Sequence, residues 1–252
     1  MNAVVLDVQA VDKRFDGVKA LSSFSCSLRH GEILGLIGPN GAGKTTFFNL
    51  VTGFIAPDRG TILFKGKDIT GAPPYRITNQ GISRTFQNPR LIRQVSVLDN
   101  VLLCFQNQPG EKLRNIFFNW WRIRGRENEH RKQALALLEE AGLAHKARDP
   151  AVELSYGQQK ILSLVCCLAA RSEVLLLDEP VAGIAPEMTE RILATIRGLP
   201  SRGKSVILIE HNLDAVMTVC DRAIFMDAGV MVGEGPPDEV RNDPRVIEAY
   251  ID

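Results

Sequence analysis

A glycine-rich segment that ends in lysine and threonine carries the strongest chemical signal in the sequence. Residues 38–45 read Gly-Pro-Asn-Gly-Ala-Gly-Lys-Thr, which fits the phosphate-binding pattern GxxxxGK[ST]. Because glycine permits close backbone approach, successive N–H groups can surround a phosphate at the positive end of a following helix. Lys44 is expected to neutralise β- and γ-phosphate charge, and the Thr45 hydroxyl to ligate Mg²⁺. The residues predicted to bind a polyphosphate nucleotide here are Gly38, Pro39, Asn40, Gly41, Ala42, Gly43, Lys44, Thr45 and Thr46.

Two adjacent carboxylates close the apolar pattern VLLLDEP. At the end of a buried strand, Asp178 and Glu179 would lie beside the phosphate loop. There an aspartate can hold the Mg²⁺ shell, and the next residue can take a proton from attacking water. The alternative for this motif alone is an exposed acidic turn before Pro180. The two motifs together predict a nucleotide site, but the phosphate loop by itself does not separate kinases, GTPases and ATPases.

A third motif, LSYGQQ from residue 154, narrows the class. Ser155 can cap the apolar helix that follows, and a helix start with the small Gly157 presents free N–H groups to an anion. We interpret Ser155, Gly157 and Gln158 as a second phosphate site. One nucleotide does not need two such sites in one chain, so the economical arrangement is a head-to-tail dimer in which each copy completes the other's site. An ordinary N-capped core helix is the alternative.

Short apolar segments predict the elements that position these residues. Residues 4–15 and 20–28 alternate apolar and polar side chains, which is typical of half-buried antiparallel strands. A buried strand at Glu32–Ile37 runs through glycines into a helix from Lys44, which is one half of a parallel α/β unit. Further buried strands are predicted at 174–178, 205–210 and 222–227. They favour a layered α/β core.

The stretch between Val97 and Ala170 differs from this core. Its apolar residues recur at helical spacing in ALALLEEAGL and GQQKILSLVCCLAA, which predicts a helical insertion. The tail is expected to form two short helices separated just before Pro244.

Composition excludes several classes of protein. The chain has 252 residues with a formal net charge of +1, 45% apolar and 23% charged residues, as expected for a globular protein and not for one that binds nucleic acid over its whole surface. No run is long enough to span a bilayer, and the N-terminus lacks the pattern of a secretory signal, so we expect a cytoplasmic chain. The five cysteines form no CxxC pair and are interpreted as reduced thiols. The scattered histidines do not suggest a structural metal site.

In this order and over essentially the whole length, the motifs resemble those of an ATP-binding subunit of an ABC transporter. The resemblance implies a P-loop NTPase fold, namely an ABC nucleotide-binding domain with an N-terminal antiparallel β subdomain and an inserted α-helical subdomain. It implies a single domain over 1–252, with the core and β subdomain in 1–94 and 172–252 and the helical subdomain in 95–171. The implied ligands are ATP and Mg²⁺.

Roles for individual residues follow from the same resemblance. Phe15 would stack on adenine, and Gln87 would join the core to the helical subdomain and reach Mg²⁺ and water. Glu179 would be the catalytic base, and His211 would bond the γ-phosphate as a switch. With Lys44, Glu179 and His211 form the predicted catalytic set, and Thr45, Gln87 and Asp178 the predicted metal ligands.

Two positions depart from the family pattern. Tyr156 replaces the first glycine of the usual LSGGQ, which leaves Ser155, Gly157 and Gln158 as matching contacts. Ala185 stands where many relatives have Asp or Asn, so this position offers no carboxylate or amide for a contact across the dimer.

A finer resemblance is to the ATP-binding subunits of branched-chain amino acid importers. It depends on SYGQQ, EHNLDAVMTVCDR, GEGPPDEVRNDPRVIEAY and the insertion after Val101. It implies a peripheral subunit on the cytoplasmic face of the inner membrane, paired with a second ATP-binding subunit, either a copy or a different chain. Integral membrane permeases would be direct partners, a periplasmic or extracellular solute-binding protein an indirect one, and nucleic acid none. Alternatives are transport of urea, amides or other amino acids, a non-transport ABC ATPase, and a P-loop kinase.

The insertion itself mixes aromatic and basic residues over 112–132. Interleaved aromatics and arginines can bind nucleic acid, a membrane surface or a protein. In this position we favour contact with the transport partner or with lipid headgroups; a solvated basic helix with a docked aromatic face is the alternative.

Overall fold

The computed structural model describes residues 3–106 and 120–251. The strands are β1 (Val4–Phe15), β2 (Val18–Arg29), β3 (Ile33–Ile37), β4 (Arg59–Phe64), β5 (Lys67–Asp68), β6 (Ile82–Arg84), β7 (Val174–Asp178), β8 (Ser205–Ile209), β9 (Arg222–Asp227) and β10 (Val230–Gly235). The α-helices in these residues are α1 (Lys44–Val51), α2 (Pro74–Gln80), α3 (Val97–Leu102), α4 (Trp120–Glu140), α5 (Tyr156–Ala169), α6 (Pro186–Arg197), α7 (Leu213–Val219), α8 (Pro237–Arg241) and α9 (Pro244–Ile251). Contacts divide the chain into two compact units, Met1–Gln87 with Glu173–Asp252, and Asn88–Ser172.

The first unit contains an antiparallel sheet in the order β2-β1-β4-β5. Alternation along β1 buries Leu6 and Val8, and a shift in register between Val8 and Val11 buries Val11 as well. Strand β2 contributes Leu21 and Phe24 to the same core. The predicted antiparallel pair is therefore confirmed.

The second sheet of this unit has the order β10-β9-β3-β8-β7-β6. Neighbours from β9 to β6 run parallel, and β10 pairs antiparallel with β9 at one edge. Every residue of β3, β7 and β8 is buried, which explains why these strands are almost entirely apolar in sequence. The strands predicted at 174–178 and 222–227 are confirmed. The predictions for β3 and β8 were each one residue too long, since β3 begins at Ile33 and β8 ends at Ile209. The side chains of the two flanking residues bond to other segments, Glu32 to Arg222 and Glu210 to the backbone N–H of Val181.

Helix α1 begins at Lys44, as predicted, and joins both sheets in one core. Phe47 and Phe48 are fully buried, and the ring centroids of Phe24 and Phe47 lie 5.2 Å apart. Because close-packed aromatic side chains resist displacement, the start of α1 has a fixed position.

The other unit, Asn88–Ser172, is helical, as its periodicity predicts. Its core is built from one face each of α3, α4 and α5, with Val101, Leu138 and Leu162 fully buried. The two tail helices predicted around Pro244, which belong to the first unit, are also confirmed.

Part of the basic and aromatic insertion lies outside the described residues. This holds for Arg114, Phe117 and Phe118, and for the side chains of Trp120, Trp121, Arg122 and Arg124. Within the part of the chain that the structure describes, no helix is both long enough and apolar enough to cross a bilayer.

Candidate functional site

The phosphate loop has a backbone that only glycine fits at two of its positions. Gly38 and Gly43 have φ angles of 150° and 100°. A Cβ on Gly38 would lie 1.9 Å from the carbonyl oxygen of Met226, and one on Gly43 would lie 2.4 Å from that of Ala20. The loop backbone therefore packs directly against neighbouring backbone, and its N–H groups precede the N-terminus of α1.

Lys44 is buried at the start of α1, with 6% of its surface exposed. Its Nζ donates to the carbonyl oxygens of Gly38, at 2.6 Å, and Pro39, at 2.7 Å. Burial lowers the pKa of Lys44, and the charges of Glu179 and Asp178 partly offset that effect. Thus the loop, the lysine and both predicted carboxylates belong to one electrostatic site.

Asp178 closes β7 as a buried carboxylate, 7% exposed. Its Oδ2 accepts from Nη2 of Arg84 at 2.7 Å, and its backbone N–H donates to Oγ1 of Thr85 at 3.1 Å. Arg84 also donates from Nη1 to Oδ1 of Asn49 on α1, at 2.6 Å. A single guanidinium therefore connects the end of β7 to the phosphate-loop helix.

Glu179 lies between two side chains that the sequence predicts to act with it. Its Oε2 accepts from Nε2 of Gln87 at 2.8 Å, and its Oε1 lies 3.0 Å from Nε2 of His211. Glu179 has a φ of 47°, an unfavourable conformation for a residue with a Cβ, while its N–H donates to Ile209 O. Both carboxylate oxygens are thus oriented, and the group is only partly exposed.

The LSYGQQ segment belongs to the helical unit, where it starts α5. Ser155 Oγ accepts from the backbone N–H of Gln158, and Gln158 Oε1 accepts from the backbone N–H of Ser155. This reciprocal capping box confirms the predicted N-cap. Gly157 is buried, whereas Tyr156 is 40% exposed, with the Lys160 ammonium 5.2 Å from its ring.

The remaining predicted residues have simpler surroundings. Phe15 ends β1 and is 43% exposed, with Lys13 Nζ 5.5 Å from its ring centroid. Thr45 is exposed in the first turn of α1, and Ala42 is buried. Ala185 occupies the N-cap of α6 without a side-chain cap.

The structure brings together Lys44, Gln87, Asp178, Glu179 and His211. Sequence reasoning missed Arg84 and Asn49. A charged residue at the end of the short strand β6, three positions before Gln87, was the available signal for Arg84. Nothing comparable marks Asn49, which lies on α1 between buried residues.

A parallel sheet, a glycine loop that opens a helix, and an Asp-Glu pair at the end of a neighbouring strand define a P-loop nucleoside triphosphatase. The family model described as ABC transporter matches residues 21–182, which is more than half of the chain. The chain belongs to the ABC transporter family of ATP-binding proteins, and it is an ATPase. A second model, described as branched-chain amino acid ATP-binding cassette transporter, matches residues 231–251.

Curated relatives match over nearly their full length. The high-affinity branched-chain amino acid transport ATP-binding protein LivG of Salmonella typhimurium is 37% identical over 252 residues, covering 100% of this chain and 99% of that protein. The corresponding protein BraF of Pseudomonas aeruginosa is 35% identical with the same coverage. The probable LivG of Archaeoglobus fulgidus is 36% identical and covers 98% of this chain and 95% of its own.

Solved structures have the same fold. The ADP conformation of MJ1267, an ATP-binding cassette of an ABC transporter, is 35% identical, with a TM-score of 0.86 and coverage of 99% of both chains. A nucleotide-free ATP-binding cassette from an ABC transporter is 34% identical, also with a TM-score of 0.86, and covers 99% of this chain and 100% of its own. These likenesses agree with the predicted ABC nucleotide-binding fold.

Proposed function

We propose that this chain is the ATP-hydrolysing subunit of an importer that takes up branched-chain amino acids through a separate membrane permease. The match of its C-terminal residues 231–251 and the names of its full-length relatives support this solute. We also propose that residues 1–252 form a single ABC ATP-binding domain, with 95–171 as its helical subdomain. The subunit would sit on the cytoplasmic face of the inner membrane through its permease, and a solute-binding protein would be an indirect partner.

In this proposal the phosphate loop binds ATP. The N–H groups of residues 38–46 and the ammonium of Lys44 surround the β- and γ-phosphates, and Phe15 stacks on adenine. Lys44 is suited to this role because burial has already removed much of its hydration, so exchanging carbonyl partners for phosphate oxygens costs less desolvation. Ser155, Gly157 and Gln158 contact the ATP of a second subunit, which makes the dimer depend on nucleotide.

The side chains fit magnesium chemically. The Asp178 carboxylate, the Thr45 hydroxyl and the Gln87 amide supply the hard oxygen ligands that Mg²⁺ prefers, beside the loop that carries the phosphates. Bound there, the metal would neutralise charge on the β- and γ-phosphates.

The observation that carries hydrolysis is the contact of both Glu179 oxygens with Gln87 and His211. We assign Glu179 as general base: it takes one proton from water as the water oxygen bonds to the γ-phosphorus and the bond to the β–γ bridging oxygen breaks. The products are ADP and inorganic phosphate. Gln87 orients the attacking water, and His211 bonds the γ-phosphate. Loss of the γ-phosphate removes the contacts that hold two subunits together, so the dimer opens and shifts the permease.

The variant Glu179→Gln tests this assignment. A general base contributes about 10²- to 10⁴-fold, so steady-state ATP hydrolysis should fall within that range while ATP binding stays intact. Gel filtration of the variant with ATP should show a dimer that is not seen without ATP. Glu187→Gln, on the exposed first turn of α6, is the matched control and should hydrolyse ATP normally.

Near-normal turnover by Glu179→Gln would remove Glu179 as base. Absence of an ATP-dependent dimer would favour the kinase alternative. The solute is tested separately, by purifying the chain from membranes with its permease and measuring whether ATP hydrolysis is stimulated by binding protein loaded with leucine. Stimulation by urea or an amide instead would reassign the solute.

A further inference from the structure

Arg84 is a buried cation whose contacts converge on the predicted magnesium aspartate. In its ion pair with Asp178 the two side chains are 5% and 8% exposed. We propose that Arg84 is a positioning residue that holds the Asp178 carboxylate in register with the phosphate-loop helix for the magnesium–nucleotide complex. This inference rests on the proposed function, and it adds a residue to the three metal ligands predicted from the sequence.

The first argument is geometric. Arg84 donates to Asp178 Oδ2 at 2.7 Å and to Asn49 Oδ1 at 2.6 Å, so one rigid group spans the end of β7 and the helix α1. Its Cζ lies 5.2 Å from the ring centroid of Phe48 and 4.9 Å from that of Phe86. Aromatic rings beside a planar guanidinium restrict its rotation, so the donors that reach Asp178 are pre-organised.

The second argument concerns the stretch that contains Arg84. Thr85 Oγ1 accepts from the N–H of Asp178, and Gln87 Nε2 donates to Glu179. Residues 84–87 therefore contact both members of the Asp-Glu pair. With Oδ2 engaged by Arg84, the carboxylate that would hold the metal has a fixed orientation.

The third argument is energetic. Replacing a buried ion pair by apolar residues of similar volume is often neutral or stabilising, so stability alone does not explain a buried Arg–Asp pair. A partner that orients a metal-binding carboxylate does explain it, because such outer contacts typically change metal affinity about 10- to 100-fold. The alternative is that the Arg84 cation competes with Mg²⁺ for the carboxylate, in which case removing it would strengthen magnesium binding.

The experiment compares nucleotide affinity with and without magnesium. A fluorescent ATP analogue is titrated into the full-length chain in Mg²⁺ and in EDTA, and the ratio of the two dissociation constants measures the magnesium-dependent gain. For Arg84→Met we expect this gain to fall about tenfold or more, while affinity in EDTA changes little. Arg84→Lys, which keeps a cation but cannot bridge Asn49 and Asp178, should lose part of the gain.

Arg222→Met is the matched control. Arg222 is also an ion-paired arginine, largely buried with its side chain 12% exposed, and it bonds to Glu32, Glu234 and the carbonyl oxygen of Ser27 in the first unit. Thermal unfolding should show that this variant is at least as destabilised as Arg84→Met, yet its magnesium-dependent gain should stay at the wild-type value. If either methionine variant fails to fold, Arg84→Lys and Arg222→Lys replace the pair.

Two results would overturn the proposal: an undiminished gain in the Arg84 variants, or an equal loss in the Arg222 control. A larger gain in Arg84→Met would establish competition instead. Failure of the proposed function looks different, because the wild-type chain would then bind the analogue no better with magnesium than without it.

Discussion

Alanine at two glycines of the phosphate loop should have unequal effects on stability, and the structure explains the difference. Gly41 and Gly43 both have positive φ angles, 83° and 100°. An added Cβ at Gly41 would meet nothing within 4 Å. At Gly43 it would lie 2.4 Å from the Ala20 carbonyl oxygen and 3.1 Å from Cδ2 of Leu21. Backbone strain is common to both variants, and steric overlap is confined to Gly43→Ala.

The magnitudes follow from these contacts. A non-glycine residue in the left-handed region costs about 1–2 kcal/mol, which for a chain of this size lowers Tm by about 2–8 °C in Gly41→Ala. Overpacking adds about 1–3 kcal/mol in Gly43→Ala, because Ala20 lies in β2 and the adjoining helix carries the buried Phe47 and Phe48. Neither side can move freely, so we expect this variant to unfold at least about 2 °C below Gly41→Ala.

The assay is thermal unfolding of the wild type and both variants, without nucleotide, followed by circular dichroism. Nucleotide is left out because differences in binding would shift Tm by mass action and obscure the steric term. Equal Tm values for the two variants would contradict this prediction, since they would mean that the start of α1 can shift to accommodate the added methyl group with no loss of stability.

Two further predictions concern a helix cap and a thiol pair. Ala185→Asp should stabilise the chain, because the N-cap of α6 lacks a side-chain acceptor. A helix cap contributes about 1 kcal/mol, so Tm should rise by about 2–4 °C. An unchanged Tm would show that the new cap does not stabilise the helix. Cys104 should be the first cysteine alkylated near neutral pH, because the hydrogen bond from Cys166 lowers the pKa of its thiol. In contrast, burial raises the pKa of the Cys26 and Cys220 thiols, and it raises the pKa of Cys167 to about 12. Since the thiolate is the reactive form, labelling should become faster as the pH rises through the Cys104 pKa, and Cys166→Ala should move this increase to higher pH. Peptide mass spectrometry after brief iodoacetamide treatment measures the labelling of each cysteine. Earlier labelling of Cys26 than of Cys104 would contradict the prediction.

Several features of the fold and of the candidate site could be predicted from short stretches of the sequence. The spacing of residues 38–45 requires a loop followed by a helix, and α1 begins at Lys44 as predicted. Ser155 was predicted to cap the following helix, and at the start of α5 it does so, within a capping box completed by Gln158 three residues later. The apolar runs at 174–177 and 206–209 lie in fully buried strands. These features depend on interactions within a few residues, so the local sequence carries them.

Tertiary structure decided which distant side chains meet. Strand β6 has only the three residues Ile82–Arg84 and no clear period, yet its place beside β7 sets Arg84 against Asp178 and Gln87 against Glu179. The order of the strands arises from how both sheets and α1 share one core, not from any segment alone. The local sequence thus determined which chemical groups are present and where individual helices and strands begin and end. Long-range packing selected their partners, because pairings across about 90 residues depend on the whole core being formed.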